Sequence, residues 1–249
     1  MSDIIAVFTS QQPFRRLQDI VVNGLQYPVS IAASLNIACL HVSDTASLAV
    51  WRISVNNGAV VQWLTGLYAA SVSVTSGDRV VLLVVVNVNK RNTTWLGEVR
   101  VYNQDAVICS VLNLSPDITT PLSVVMTTRN TFIVSHGLTW HEVHRVCEVD
   151  MTGRVLKAFG SSPGHDVDQL NVPSHVALDD EERFIVADRR NSRLLQLNKQ
   201  LTSPRILLSW HPQSLDHEAN APWTLHYDSH TASLLVGLRS GHVNVYKLK

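Results

Sequence analysis

The run SHGLTWHEVHR places His136, His141 and His144 within nine residues, with Glu142 beside them. These are the side-chain types that zinc takes from a fixed scaffold. On an extended chain, however, His141 and Glu142 point to opposite faces and His144 joins Glu142, so the donors do not converge. The order His, Glu, Val, His also differs from the helical H-E-x-x-H pair. The segment therefore reads as loop or groove histidines, with no metal and no cofactor expected. A second candidate is the trio Asp188, Asn191 and Arg193. A carboxylate next to an arginine could serve as a catalytic acid or base. At the end of a strand it can equally cap the following turn and hold the arginine, which is a structural task.

A third group lies in WHPQSLDHEANAPWTLHYDSH, where Trp210, His211, His217 and Trp223 combine aromatic surface with polar groups that titrate near neutrality. A long connection of this kind is where binding surfaces are built. A local basic stretch, Arg183, Arg189, Arg190, Arg193, Lys199 and Arg205, follows the acidic turn Asp179, Asp180, Glu181 and Glu182. That arrangement predicts an amphoteric rim rather than the continuous positive face that RNA requires. Asn92 begins an N-x-T sequon, which matters only in an exported chain. There is no G-x-S-x-G elbow, phosphate-cradling glycine loop, C-x-x-C pair or EF-hand spacing, so catalysis is not expected.

Composition narrows the class further. The 249 residues are 45% apolar and only 16% charged, which suits a chain with a large core and excludes wholesale disorder. Twenty basic side chains balance twenty acidic ones, so no global field would hold DNA or an anionic membrane. Cys39, Cys109 and Cys147 are odd in number and widely spaced, each inside an apolar run, and are expected as buried free thiols. The apolar run at the N-terminus is too short for a signal peptide, and no segment reaches the length of a membrane span. A soluble, cytoplasmic protein is the expectation.

The elements that position these residues repeat. PVSIAASLNIACLHVSD from Pro28, PLSVVMTTRNTFIVSHG from Pro121, PSHVALDDEERFIVADR from Pro173 and PWTLHYDSHTASLLVGLR from Pro222 share one plan. Each is a proline, a short alternating run, a polar turn and a second apolar run. ASVSVTSGDRVVLLVVVN, from Ala70, keeps everything but the proline. The spacing of roughly 40 to 50 residues is that of propeller blades. Four short antiparallel strands per unit follow, in the best copy SHVAL, RFIVA, RLLQLN and RILLSW. The expected fold is all-β: a propeller of four-stranded antiparallel blades with five repeat units visible, spanning residues 1–249 as one domain. The last unit runs out after three strands, so the N-terminal strand Leu17 to Val22 is expected to pair with it and close the ring. Ile4 to Phe8 would then pair elsewhere, or the chain would be part of a longer propeller.

The unit from Phe159 to Leu197 resembles an NHL repeat, matching at Phe159, Gly160, Pro173, Val176, Ala177, Asp179, Val186, Ala187, Asp188, Asn191 and Arg193. The other units are degenerate. The first keeps Pro28, Val42 and Asp44, the third keeps Pro121 and has His136 in place of the aspartate, and the last has Gly237. NHL domains are typically six-bladed, so the resemblance leaves five or six blades open. It implies a scaffold whose loops bind protein or, in some members, RNA, and it brings distant relatives that are metal-using lyases and hydrolases. The resulting expectation is a non-catalytic module that binds a protein partner through one face. The face candidates are Asp44, His136, Asp188, Arg189, Arg190, Trp210, His211, His217 and Trp223. RNA binding and metal-dependent hydrolase or lyase chemistry are the alternatives.

Overall fold

The computed structural model describes residues 3–8, 16–89, 94–210 and 220–248. Its elements are strands, with a single 3-10 turn, Arg189–Asn191, among the described residues. Two strands, β1 (Asp3–Phe8) and β2 (Arg16–Val22), precede five blades. The first blade holds β3 (Pro28–Ser34), β4 (Cys39–Asp44), β5 (Ala49–Ser54) and β6 (Val60–Thr65). The second holds β7 (Ala69–Val74), β8 (Val80–Asn89), β9 (Thr94–Tyr102) and β10 (Ile108–Asn113). The third is β11 (Pro121–Met126), β12 (Phe132–His136), β13 (Arg145–Val149) and β14 (Val155–Phe159). The fourth is β15 (Pro173–Leu178), β16 (Phe184–Asp188), β17 (Arg193–Leu197) and β18 (Arg205–Ser209). The fifth is β19 (Pro222–Asp228), β20 (Ser233–Leu238) and β21 (Val243–Lys247). Each blade is an antiparallel meander. The propeller of antiparallel blades read from the repeat is therefore the architecture, with five blades where the sequence left five or six open, and the unit from Phe159 to Leu197 supplies most of the fourth blade.

A sheet with two apolar faces must bury both, and the middle strands show how. Along β12, Phe132 and Val134 pack with Val81, Leu83, Val99 and Val101 of the second blade. Ile133, between them, packs with Phe184, Val186 and Leu195 of the fourth. Along β16 the alternation repeats, with Ile185 and Ala187 turned to Leu234 and Val236 of the fifth blade. Val50 joins the first blade to Val80, Leu82 and Val84 of the second. Phe132 and Phe184 are wholly buried, and truncating either to alanine removes about 3–5 kcal/mol.

The turns share one chemistry. Asn103, Asp150, Asp179 and Asn198 each accept, through one side-chain oxygen, the amides two and four residues on. Thr127 does the same with its hydroxyl. Side-chain acceptors at the first turn position replace the backbone partners that the turn leaves unpaired. The third residue after each cap, Ala106, Gly153, Glu182, Leu201 and Asn130 respectively, takes a left-handed conformation.

The inner strands β3, β7, β11, β15 and β19 run side by side in that order. All five open with the same irregularity: the first residue pairs with the second strand, the next is bulged out, and pairing resumes at the third. The third residue in the first three blades is serine. Ser30 Oγ accepts the amide of Val72 at 3.1 Å, Ser71 Oγ that of Val124 at 3.5 Å, and Ser123 Oγ that of Val176 at 3.4 Å. Each inner strand thus satisfies a backbone donor of the next blade. Between the fourth and fifth blades Ser174 takes over the link, its hydroxyl lying within hydrogen-bond distance of the carbonyls of Pro222 and Trp223.

Closure differs from the sequence expectation. β2 does not pair with β21. It pairs with β1, in register from Asp3–Val22 to Phe8–Arg16, as a separate two-stranded sheet. Ile5, Ile20 and Val22 cover Val42, Trp51 and Ile53 on the face of the first blade that is turned away from the second. That apolar face competes for β2 and wins it. The fifth blade is left three-stranded among the described residues, and β21 is exposed or half-buried throughout, whereas its counterpart β17 is wholly buried. The cysteines also differ from expectation: all three are free, but only Cys147 is buried and Cys109 is exposed. Burial pushes the Cys147 thiol up to about 12. No helix of the described residues is long and apolar enough to cross a membrane.

His41 and His136 are among the histidines buried inside this framework. His41 packs edge-on against Trp63 at 4.9 Å, and His136 meets the Cys147 sulfur at 3.5 Å. Burial, with a nearby arginine, pulls both down from 6.5 to about 4. The unfolded chain therefore takes up protons first as pH falls. The stability from keeping these rings neutral is complete above about pH 6.5 and lost progressively toward pH 4, on the order of 2 kcal/mol for each histidine. Denaturant midpoints at pH 7.5 and 4.5 will differ less in a His41→Asn, His136→Asn double variant than in the native chain. Ser30→Ala, by removing the acceptor of the Val72 amide, will cost about 1 kcal/mol in the same titration.

Candidate functional site

The five bulged residues occupy one ring. Val29, Ala70, Leu122, Ser174 and Trp223 all line a cavity of about 690 Å3 on the propeller axis. A bulge re-aims its side chain out of the pleat, and here it does so at the same position in every blade. The inner strands begin at this end, which is the mouth face; the turns at Asp78, Thr127, Asp179 and Asp228 mark the rear face. Connections between second and third strands add Thr45, Leu138, Arg189 and Arg239, and Tyr68 and Trp95 complete the wall. Trp95 comes from the long β8–β9 pair and meets Tyr68 edge-on at 5.8 Å. Glycine is required at position 97, because a Cβ there would lie 2.8 Å from the Pro121 ring of the next blade.

Arg189 stacks its guanidinium 4.6 Å from the centre of the Trp223 ring, a cation–π pair at the cavity wall. It is half-buried and pairs with no carboxylate among the described residues. Burial and the neighbouring charges of Arg190 and Arg239 pull it down to about 10. His175 also lines the cavity. Its Nδ1 is buried without a hydrogen-bond partner among the described residues, and burial, with His226 beside it, pulls the ring down to about 4.

The other candidates fall in different places. Asp44, His136 and Asp188 occupy equivalent positions opposite Pro28, Pro121 and Pro173, at the mouth face. Their exposures are 0, 1 and 0%, which removes them from direct contact with a partner. Asp44 accepts the amides of Gln26, Tyr27, Ala46 and Ser47. Burial pushes its carboxyl up, but these four amides outweigh it and hold the group below the usual range. Asp188 accepts from the Asn171 amide, the Asn191 side chain and Arg193 Nε at 2.6 to 2.7 Å. Arg193 spends its remaining donors on the carbonyls of His165, Asp166 and Gln169. This buried cluster fastens the loop that leads into the fourth blade. Arg190 is exposed. Trp210 packs into the core between the fourth and fifth blades, its amide on the Ser192 carbonyl at 2.8 Å. His211, His217 and Asn92 lie outside the described residues.

The histidine run does not converge. Residues 137–144 form a loop rather than the extended chain that the face argument assumed. Glu142 organises it by accepting the Leu138 and Thr139 amides at 2.8 Å and the Thr120 hydroxyl. His144 Nδ1 accepts the Val172 amide at 3.0 Å while Nε2 meets the Thr139 carbonyl, so the ring staples the third blade to the fourth. His141 stacks on Trp140, which is 72% exposed. Among the described residues no three His, Cys, Asp or Glu side chains gather to hold a metal ion. The basic stretch is divided as well. Arg183 sits at the rear face, paired with Asp179 and Glu181, whereas Arg189 is at the mouth.

Sequence reading missed Tyr27, Tyr68, Trp95, Trp140, His175 and Arg239. One signal could have found the ring: the position after each aligned proline holds Val29, Leu122, Ser174 and Trp223, a variable site inside an otherwise regular strand.

Solved structures that share the fold include the following three. A protein of unknown function from Bacteroides caccae superposes with a TM-score of 0.62 at 12% identity, covering 95% of this chain and 82% of that one. Virginiamycin B lyase from Staphylococcus aureus gives 0.52 at 8% identity, with 91% and 86% covered. A streptogramin B lyase gives 0.53 at 8% identity, with 89% and 83% covered. No protein-family model and no curated protein sequence matches the chain. The comparisons therefore establish the propeller and carry the NHL resemblance no further.

Replacing Arg193 with Met leaves Asp188 as a buried carboxylate without its cation and frees three loop carbonyls. Loss of one partner of a buried pair costs about 3–5 kcal/mol, read as a lowered urea midpoint.

Proposed function

We propose that this chain is an interaction module that binds a protein partner at its mouth face. One observation carries the reading. Among the described residues the exposed aromatic side chains are Tyr27, Trp140 and Trp223, at 65, 72 and 42% exposure, and all three lie on that face. Tryptophan, tyrosine and arginine are the residues on which binding energy concentrates, and Arg189 stacks on Trp223. The rear face offers turns whose polar groups are already engaged, such as Asn36 with Asp78, Thr128 with Glu182 and Tyr227 with Asp180. The division of the basic stretch between two faces weighs against RNA as the ligand.

A second reading is lyase chemistry in the axial cavity. It is favoured by His175, whose unpaired nitrogen belongs to the cavity wall, and by the two lyases among the fold neighbours. Incubation with virginiamycin B, followed by chromatography, decides it: turnover abolished by His175→Ala supports this reading, and intact compound removes that substrate.

The binding reading is tested by capture from lysate followed by direct titration of the partner so identified. A Tyr27→Ala, Trp140→Ala, Trp223→Ala variant will lose at least tenfold in affinity with its melting temperature nearly unchanged, since all three are surface positions. A rear-face Thr128→Ala variant will bind as the native chain does. Full retention by the triple variant would place the partner elsewhere.

A further inference from the structure

The cavity wall holds Arg189 with no matching carboxylate among the described residues. The chain as a whole has twenty acidic and twenty basic side chains, and among the described residues none of the acids lines the axial cavity. Four arginines elsewhere in the fold are matched with acids: Arg193 with Asp188, Arg183 with Asp179 and Glu181, Arg129 with Glu148, Arg100 with Glu98. Arg189 is matched with the face of Trp223. Stacking occupies one face of the guanidinium and leaves its N–H edge for a planar acceptor in the same plane.

We propose that the axial cavity seats a carboxylate of the protein partner, carried on a short acidic segment, with the N–H edge of Arg189 as its receptor and Trp223 as the surface that orients that edge. This rests on the mouth face being the partner's binding face. A planar two-oxygen carboxylate matches one guanidinium edge bidentately, and Val29, Leu122, Leu138 and Trp95 of the wall offer apolar contact to the segment that carries it. The lowered affinity of Arg189 for its proton, caused by burial and by Arg190 and Arg239, points the same way: a carboxylate would relieve that repulsion. At about 690 Å3 the cavity is in the range of about 300–1,000 Å3 that accommodates a small ligand or a few side chains rather than a folded domain.

The test uses the full chain and two capped peptides, acetyl-Glu-Phe-Glu-amide and its glutamine counterpart, titrated calorimetrically and by tryptophan fluorescence at low salt. The acidic peptide will bind at least tenfold tighter, and added salt will narrow the gap. Arg189→Gln will bring the two peptides to equal affinity, while the exposed Arg190→Gln will change the ratio less than threefold. Trp223→Phe, which keeps an aromatic face under the guanidinium, will keep most of the preference and guards against misreading a folding defect. Equal binding of the two peptides, binding of neither, or an unchanged preference in Arg189→Gln overturns the proposal. Inorganic phosphate displacing the acidic peptide at comparable concentration overturns the carboxylate assignment in favour of a general anion site. If the peptides fail while the Tyr27, Trp140, Trp223 variant still loses the captured partner, only the carboxylate is wrong; if that variant also binds normally, the mouth-face reading falls with it.

Discussion

Five sheet edges converge on one axis and cannot pair with one another, and the rest of the molecule follows from how their backbone groups are satisfied. An unpaired buried amide costs as much as a lost hydrogen bond. In the first three blades a serine on the inner strand accepts an amide from the next blade, which fixes the height of each blade relative to its neighbour. The bulge that precedes this serine belongs to the same solution. It shifts the pairing so that the serine meets the neighbour, and in doing so aims the residue before it at the axis. The ring of bulged residues is thus a by-product of the device that assembles the fold, and its side chains can vary while the backbone stays constant. That freedom is visible in the series Val29, Ala70, Leu122, Ser174 and Trp223.

Polar groups in the structure divide by role accordingly. Those that hold the ring are buried and spend nearly every donor and acceptor, as Asp188 and Arg193 do. Those around the cavity retain unspent capacity, as Arg189 and the Nδ1 of His175 do. The distinction separates residues of the same type only a few positions apart, and it assigns Asp44, Asp188 and His144 to construction rather than recognition.

Much of the fold was legible in the chain because the repeat constrains it at several levels. The aligned prolines mark where inner strands begin. The doubly apolar runs FIVSH and FIVAD mark strands buried on both faces, and the Asp, Asn and Thr turn residues mark hairpins that cap themselves. What was not legible depends on competition between alternatives that a sequence does not rank. The strand Leu17 to Val22 could pair with β21 or lie on the first blade, and only the apolar fit of Ile20 and Val22 over Trp51 and Ile53 decides it. The site was half legible. Arg189 and Trp223 stood out by type, but nothing in their spacing of 34 positions announces that one stacks on the other. Tyr27 and Trp140 were hidden in connections whose direction is set by carboxylate acceptors, Asp44 and Glu142.

The joint between the fifth and first blades differs from the other four. No core cluster spans it among the described residues, and β19 does not run alongside β3 as the other inner strands run alongside their neighbours. Mechanically the described residues form a split ring rather than a hoop. A hoop resists dilation equally around its circumference, whereas a split ring yields at the cut and moves as two stiff ends about a compliant opening. Any guest that must widen the cavity would therefore be accommodated by hinging at this one joint, with Trp223 on one lip and Tyr27 on the other. The aperture would adjust to its guest while the four welded joints kept the remaining wall in register.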